Sequence, residues 1–172
     1  MRAKQVIPTV DSTFEDFYDA APAELQEYVD RCEQTNQSKA WHPEGNVKTH
    51  IKIVFNRAKR TGDINLMLGA FFHDLGKADV TKGHADNPDK WSAHGHEVVS
   101  AKLVKKYRDW IELLGGDFNV VYFVVDQHMR AHLVDEMRPS KRNAFKAERY
   151  FPDVAQFSEF DDMTKDYSQD ID

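Results

Sequence analysis

The chain has 172 residues, a net charge of −6, 41% hydrophobic residues and 30% charged residues. These values are typical of one globular domain that is large enough to bury a core without disulfides. The acidic balance argues against an extended nucleic-acid interface, which needs a basic face, but it permits a small phosphorylated substrate held by a metal ion.

Cysteine content and hydropathy bear on the compartment. Cys32 is the single cysteine and cannot form an internal disulfide, which fits a reducing compartment. No apolar run approaches the roughly 20 residues that span a bilayer. Residues 1–10 include Arg2 and Lys4 but lack the apolar stretch of a signal peptide. We therefore expect a single cytoplasmic domain over residues 1–172, without membrane contact; the sequence leaves the oligomeric state open.

The first part of the chain is predicted to be helical with one loop. Residues 13–35 indicate helix, and Pro22 suits the first turn of a second helical piece. The polar segment 37–45 is predicted to be a loop. From Asn46, which can cap a helix, apolar residues recur at three- and four-residue spacing, and this pattern places His50 on the inward face of a helix.

A second, more apolar helix ends in an unusual pair of residues. After a break at 61–63, residues 64–74 are apolar on nearly every side, which predicts a buried helix. Its last residues are His73 and Asp74, and Gly76 is well placed to terminate it. Burying an imidazole and a carboxylate is unfavourable unless both are paired or bind a metal ion. The pair is therefore the first indication of a functional site.

The remainder of the chain alternates predicted helices with loops. Residues 78–91 are polar, contain glycine and proline breaks and indicate a loop, and Gly115-Gly116 marks another break. The β-branched content of residues 119–129 is compatible with a strand, but helix is preferred because five of its residues and near neighbours share one helical face: Val121, Val124, Val125, His128 and His132. Helices are also predicted over 93–107, 140–149 and 153–165.

Polar residues that can ligate a metal fall on the inward faces of these predicted helices. They are His50, His73, Asp74, His96, His128 and Asp161. A metal ion that activates water needs several imidazoles and carboxylates and an open coordination position. A set of His and Asp suits Mn, Fe, Co, Ni or Zn rather than Ca. An aspartate has two oxygens and can bridge two ions, which lie roughly 3.5–4 Å apart in two-metal sites.

The order of these residues resembles the HD superfamily of metal-dependent phosphohydrolases. More narrowly, the chain resembles the HD domain of bacterial CCA-adding tRNA nucleotidyltransferases and the HD modules of RNA-repair proteins. The resemblance spans about residues 41–165 and rests on the segments 42–50, 72–77, 94–104, 128–132 and 157–161. It implies an all-α fold, an HD-domain helical bundle of about six to eight helices.

The resemblance also implies a set of metal ligands. By position, His50, His73, Asp74 and Asp161 would bind the first ion. His96 and His128, together with the bridging aspartate, would bind a second. Because Asp162 directly follows Asp161, the identity of the last ligand stays open between these two carboxylates. The expected cofactor is thus one or two divalent transition-metal ions, namely Mn, Fe, Co, Ni or Zn.

Asp74 and Lys77 are the predicted catalytic residues. Lys77, Arg130, Lys141 and Arg142 are the predicted substrate contacts. Lys77 lies three residues past Asp74, Arg130 follows His128, and Lys141 and Arg142 belong to a basic segment near a helix start, where a phosphate can bind. The alternative for Lys77 is a solvated lysine at a helix end, where the helix dipole favours it. The alternative for the basic segment is a solvated face.

Four further histidines are given structural roles. His94 and His132 are expected to be surface residues, and His84 to be a loop residue. His42 is expected to cap the turn that it makes with Pro43.

The function implied by the resemblance is hydrolysis of a nucleotide or RNA-end phosphoester by metal-activated water. A 2′,3′-cyclic phosphate or a 2′-phosphate is the expected substrate, so the expected partner is a small nucleotide or an RNA end. Three alternatives remain open: a nucleotidase or nucleoside-triphosphate hydrolase, a hydrolase of a dinucleotide signal, and a nucleotide-binding module without activity.

Overall fold

Residues 6–172 are described by a computed structural model, so that Arg2 and Lys4, considered above for a signal peptide, lie outside the described residues. Within 6–172, α-helices pack around one apolar core and a short hairpin lies at its surface. The predicted all-α fold is confirmed. No helix in this part of the chain has both the length and the apolar character required to cross a membrane.

The first half of the bundle contains five helices and the hairpin. The elements are α1 (Phe14–Ala20), α2 (Ala23–Glu33), α3 (Val47–Lys59), α4 (Ile64–Phe72), α5 (Lys77–Val80), β1 (Lys82–His84) and β2 (Asn87–Ser92). The predicted helical segment 13–35 is therefore two helices, and Pro22 precedes the second of them. As expected, Asn46 caps α3, since its side chain accepts a hydrogen bond of 2.9 Å from the backbone N–H of Thr49.

The second half contains five further helices. They are α6 (His96–Lys106), α7 (Arg108–Leu113), α8 (Phe118–His132), α9 (Pro139–Lys146) and α10 (Phe151–Phe160), with a 3-10 turn, Val134–Glu136, between α8 and α9. The preference for helix over strand at residues 119–129 is confirmed. Seven of the described helices have eight residues or more, which agrees with the expected six to eight.

Helix α4 is the central element of the bundle. Every residue from Leu66 to Phe72 is buried, and α4 contacts α3, α6, α8 and α10. Its start is fixed by Asp63, whose side chain accepts hydrogen bonds from the first turn of the helix. Because the apolar helix α4 is buried, His73 and Asp74 at its C-terminal end lie inside the bundle, among the four helices that α4 contacts.

The prediction of a loop over residues 78–91 is wrong. This segment completes α5 and forms an antiparallel hairpin, in which Lys82 pairs with Ser92 and Gly83 with Trp91. The hairpin is attached to the loop before α3 through Ser38, whose Oγ accepts from Trp91 N–H (2.8 Å) and donates to Trp91 C=O (2.9 Å). The sequence lacks the alternation of apolar and polar residues that marks a strand, because the hairpin covers the bundle rather than entering its core.

Candidate metal centre

Asp74 lies at the centre of the site, in the turn after α4. Its side chain is buried, and its oxygen Oδ2 lies 3.2 Å from His50 Nε2 and 3.3 Å from His73 Nε2. Asp161 Oδ1 approaches the same two nitrogens and lies 2.7 Å from His50 Nε2 and 3.3 Å from His73 Nε2. We call His50, His73, Asp74 and Asp161 the first cluster; one ligand atom from each lies within 4.8 Å of the others.

The second oxygen of Asp74 belongs to a second group. Oδ1 lies 3.0 Å from His96 Nε2 and 3.4 Å from His128 Nε2. Both imidazoles are buried. We call Asp74, His96 and His128 the second cluster. Because the two clusters share Asp74 through different oxygens, that carboxylate has the geometry of a bridge between two positions.

Five separate elements supply these six residues. His50 lies on α3, His73 and Asp74 follow α4, His96 begins α6, His128 lies on α8, and Asp161 is the C-cap of α10. The structure places Asp161, and not Asp162, in the cluster. The Asp162 side chain instead accepts hydrogen bonds from the backbone N–H (2.9 Å) and hydroxyl (2.6 Å) of Thr164.

Each of the four imidazoles is held through Nδ1, which leaves Nε2 to face the cluster. A carbonyl oxygen can only accept a hydrogen bond, so a ring that bonds one through Nδ1 carries its proton there and keeps a lone pair on Nε2 when neutral. The acceptors are Ala70 C=O for His73 (2.7 Å), Ala93 C=O for His96 (2.8 Å), Val125 C=O for His128 (2.6 Å) and the Glu44 carboxylate for His50 (3.0 Å).

This arrangement fits a bound cation. The Nε2 atoms of His96 and His128 lie 3.1 Å apart, and those of His50 and His73 lie 3.3 Å apart. Two lone pairs that face each other at this distance, away from water, repel unless a proton or a metal ion lies between them. Imidazole nitrogens and carboxylate oxygens are the ligands that divalent transition metals prefer. The residues present therefore fit one ion in each cluster.

Protonation of the metal-free site follows the same geometry. Burial opposes a charge on His50 and His73, but hydrogen bonds and charge from Asp74 and Asp161 outweigh it. They raise the pKa of His50 well above its usual range and that of His73 to about 9. Burial alone would raise the pKa of Asp74, yet the charges of His73 and Lys77 hold it well below its usual range. Protons therefore occupy the first cluster where no cation does.

Lys77 lies beside Asp74 rather than in solvent. It is 9% exposed, and its Nζ lies 3.0 Å from Asp74 Oδ2 and 2.9 Å from Gln37 Oε1. The interpretation of Lys77 as a solvated lysine at a helix end is therefore wrong. Its ammonium group provides a fixed positive charge next to both clusters.

A cavity of about 620 Å³ opens onto both clusters. Trp41 and Trp91 line it together with the histidines, and Lys77 is the one lysine or arginine among the described residues of its wall. The cavity is large enough for a mononucleotide, since small-molecule sites are usually about 300–1,000 Å³.

Three of the predicted substrate contacts lie elsewhere. Arg130 and Lys141 line a separate groove, and the Arg130 guanidinium lies 4.4 Å from the centroid of the Phe145 ring. Arg142 is on α9 and is absent from the described wall of the cavity. Arg130 follows His128 by two residues, and residues two apart on a helix point to different sides. The prediction that these residues contact substrate at the metal centre is therefore not supported.

Two other histidines make contacts that the sequence did not indicate. His132 is exposed, as expected for a surface residue, but its Nε2 also lies 2.7 Å from Asp161 Oδ2. His84 lies in β1 rather than in a loop, and its Nε2 lies 2.6 Å from Ser92 Oγ. His94 is exposed at the edge of the cavity, as expected for a surface residue.

The loop before α3 contributes a residue that sequence reasoning did not single out. The Glu44 side chain is buried, and its Oε1 accepts hydrogen bonds from Nδ1 of His42 (2.8 Å) and of His50 (3.0 Å). His42 therefore pairs with Glu44 rather than only capping the turn at Pro43. The available signal was an acidic residue that follows one histidine by two positions and precedes another by six.

Comparison with known proteins gives a family. A family model described as HD domain matches residues 47–161, about two thirds of the chain and all six candidate ligands. No solved structure matches the chain at a significant level.

Three curated relatives are each named Multifunctional CCA protein. That of Herminiimonas arsenicoxydans is 28% identical over 134 residues, which cover 73% of this chain and 31% of the relative. That of Vibrio campbellii is 28% identical over 105 residues, which cover 60% of this chain and 24% of the relative. That of Vibrio cholerae serotype O1 is 27% identical over 116 residues, which cover 66% of this chain and 27% of the relative. The chain spans less than a third of the length of these relatives.

Proposed function

The chain belongs to the HD domain family, and from this we propose that it is a metal-dependent hydrolase of nucleotide or RNA-end phosphoesters. HD domains form a superfamily of metal-dependent phosphohydrolases. The observation that carries the proposal is the pair of buried His/Asp clusters that share Asp74 and open onto one cavity.

The residues that would hold the metal are those of the two clusters. His50, His73, Asp74 and Asp161 would hold a first ion, and Asp74, His96 and His128 a second. Such ions, when bound, lower the pKa of a coordinated water and polarise the phosphoryl group. Hydrogen bonds from Nδ1 keep the ligand rings oriented, and this orientation raises their affinity for a metal.

Lys77 would act on the substrate side of the site. Its ammonium group lies 3.0 Å from the shared carboxylate and at the cavity wall. A fixed cation at this position stabilises negative charge that develops on the phosphoryl oxygens or on the leaving oxygen. The buried location strengthens this effect, because little water is present to screen it.

The charge of the cavity favours a small phosphoester over a triphosphate. A 2′,3′-cyclic phosphate or a 2′-phosphate brings few charged oxygens, which two ions and Lys77 can match. A triphosphate brings several more, and the arginines and lysines of residues 130–149 lie away from the described wall. Trp41 and Trp91 offer flat aromatic surfaces on which a base can stack.

The test is a comparison of 2′,3′-cyclic AMP with dATP at equal concentration, in the presence of Mn²⁺, Co²⁺ or Ni²⁺. We expect faster turnover of 2′,3′-cyclic AMP, and no turnover of either compound by the Asp74→Asn variant. Asp79→Asn, which alters a carboxylate on α5 outside the described cavity wall, is the matched control and should retain activity.

Two results would contradict parts of the proposal. Much faster turnover of dATP would overturn the preference for cyclic phosphate and favour a nucleoside-triphosphate hydrolase. No turnover of any phosphoester by fully metallated protein would overturn the enzymatic function and favour a nucleotide-binding module.

A further inference from the structure

A buried carboxylate connects the first cluster to the cavity wall. The Glu44 side chain is fully buried, and its Oε1 accepts from His42 Nδ1 at 2.8 Å and from His50 Nδ1 at 3.0 Å. Burying a carboxylate is unfavourable unless it is paired in this way. The loop is itself held in place, because the Gln37 side-chain amide donates to the backbone C=O of Gly45 at 3.2 Å.

Glu44 distinguishes His50 from the other metal-ligand candidates. His73, His96 and His128 donate to backbone carbonyls, whereas His50 donates to a charged carboxylate. A carboxylate behind a metal-ligating imidazole orients the ring and increases the basicity of its other nitrogen. His50 is therefore held more strongly than its three counterparts.

The same oxygen fixes the orientation of His42. With Nδ1 bonded to Glu44, the neutral ring carries its lone pair on Nε2. This Nε2 has no hydrogen-bond partner among the described residues, and the side chain is 24% exposed and lines the cavity. The His42 and His50 rings are in contact, with centroids 5.0 Å apart. An oriented hydrogen-bond acceptor thus lies beside the first cluster.

A third metal ion is not the explanation of this group. His42, Glu44 and His50 lie close enough to form a ligand set. However, both imidazoles donate a hydrogen bond through Nδ1 to the same carboxylate oxygen, so neither Nδ1 has a lone pair free to bind an ion.

We propose that Glu44 is a positioning residue that fixes the rings of His50 and His42 together. We further propose that His42 Nε2 accepts a hydrogen bond from a hydroxyl donor in the cavity, which is either the attacking water or a hydroxyl group of the substrate. The role of His42 rests on the proposed function, whereas the role of Glu44 concerns metal affinity and ring orientation.

Ring orientation is tested in the metal-free protein by ¹⁵N NMR of the histidine side chains. We expect His42 to carry its proton on Nδ1, and to revert to the Nε2–H form in Glu44→Ala. A wild-type His42 with its proton on Nε2 would overturn the proposal. Because loss of a buried side chain can impair folding, Glu44→Gln is prepared as well, and both variants are checked by thermal unfolding.

Metal affinity is tested by calorimetric titration with Mn²⁺ alone. We expect Glu44→Ala to weaken binding about 10- to 100-fold, the usual effect of losing such a partner, and Glu44→Gln to weaken it less. Glu97→Gln is the matched control, because Glu97 lies near His96 Nδ1 but at 3.7 Å, beyond hydrogen-bond distance. Wild-type affinity in folded Glu44→Ala would overturn the positioning role.

The role of His42 is tested with His42→Ala. We expect metal affinity within about twofold of wild type and a fall of about tenfold in kcat/KM, the value of one hydrogen bond. A fall confined to kcat identifies the attacking water as the donor, and a rise confined to KM identifies a substrate hydroxyl. Unchanged kinetics would overturn this role.

The two proposals fail in different ways. If fully metallated wild-type protein hydrolyses no phosphoester, the proposed function and the substrate-side role of His42 both fail. The positioning role of Glu44 would then still be decided by the NMR and titration results.

Discussion

Asp161 and Asp162 are adjacent carboxylates with different surroundings. Asp161 faces His50, His73 and His132, whereas Asp162 bonds Thr164. Asp161→Asn removes a charged ligand, so we expect loss of the first ion and of activity. Asp162→Asn serves as the matched control and should keep both, with a stability loss of about 1 kcal/mol from the weakened hydrogen bonds to Thr164. Metal content per chain measures the difference.

The opposite pattern, with metal lost only in Asp162→Asn, would show that the last ligand is Asp162. Equal metal content in both variants would remove Asp161 from the ligand set.

A variant of His128 can distinguish a site that binds two ions from a site that binds one. Its Nε2 lies 3.4 Å from Asp74 Oδ1 and faces the second cluster only. We expect His128→Ala to lose one ion of two and to retain the first. Elemental analysis of the protein after dialysis against limiting metal gives the stoichiometry. Wild-type protein that holds one ion and is unaffected by His128→Ala would exclude a second ion.

At the scale of elements, the turn after α4 is pressed against the first turn of α6. Gly76 N–H donates to Ser100 Oγ at 2.9 Å, and a Cβ at Gly76 would lie 2.2 Å from the backbone oxygen of His96. A methyl group here must push α6 away. This contact therefore sets the distance between Asp74 and His96.

We expect Gly76→Ala to destabilise the fold by about 3 kcal/mol, the upper end of the usual cost of overpacking. For a domain of this size that corresponds to a melting temperature lower by about 6–12 °C. The second ion should be lost with it, because His96 moves. Gly69→Ala is the comparison variant: its Cβ would lie 2.9 Å from a methyl group of the Val124 side chain rather than 2.2 Å from backbone, so we expect a smaller loss of stability and no loss of the second ion. Equal effects of the two variants would contradict this account.

The helix pattern predicted which faces are buried, and the structure shows which helices meet. Spacing placed His50 and His128 on inward faces, and the apolar sequence of α4 indicated that His73 and Asp74 are buried. Sequence reasoning did not identify Glu44, because its role depends on how the loop between Gln37 and Gly45 folds. That loop brings the Glu44 side chain to the His50 ring, and the helical pattern of α3 does not predict it. It also placed Arg130 beside His128 as a substrate contact, although residues two apart on a helix point to different sides.

For the whole molecule, metal binding should be coupled to folding, because the unfolded chain does not hold the ligands together. At a metal concentration 100 times Kd, binding to the folded state alone adds about 2.7 kcal/mol. This corresponds to a rise of about 5–10 °C in melting temperature. Differential scanning calorimetry with Mn²⁺ and with a chelator measures it. The rise should be absent in Asp74→Asn; a rise of equal size in that variant would place the bound metal elsewhere.

The stabilisation of the fold by bound metal should depend on pH. Without metal, the pKa of His73 is raised from 6.5 to about 9, so its protonation stabilises the fold fully below pH 6.5 and this contribution is lost as the pH rises through 9. A metal ion requires the neutral ring, so protons compete with it. We therefore expect the metal-induced rise in melting temperature to grow between pH 6 and pH 9. A rise that shrinks over this range would contradict the assignment of His73 as a ligand.

The distribution of ligands over five elements has a consequence for synthesis of the chain. Asp74 is made early, but the first cluster lacks the second of its two carboxylates until α10 and Asp161 have followed. At about 5–20 residues per second, this interval lasts seconds. A nascent chain therefore cannot complete the first ion site while its earlier helices fold, although the three ligands of the second cluster have all been made by residue 128. The apolar surface of α4 has to pack against its neighbours first, and full coordination of the first ion follows only when Asp161 has been made.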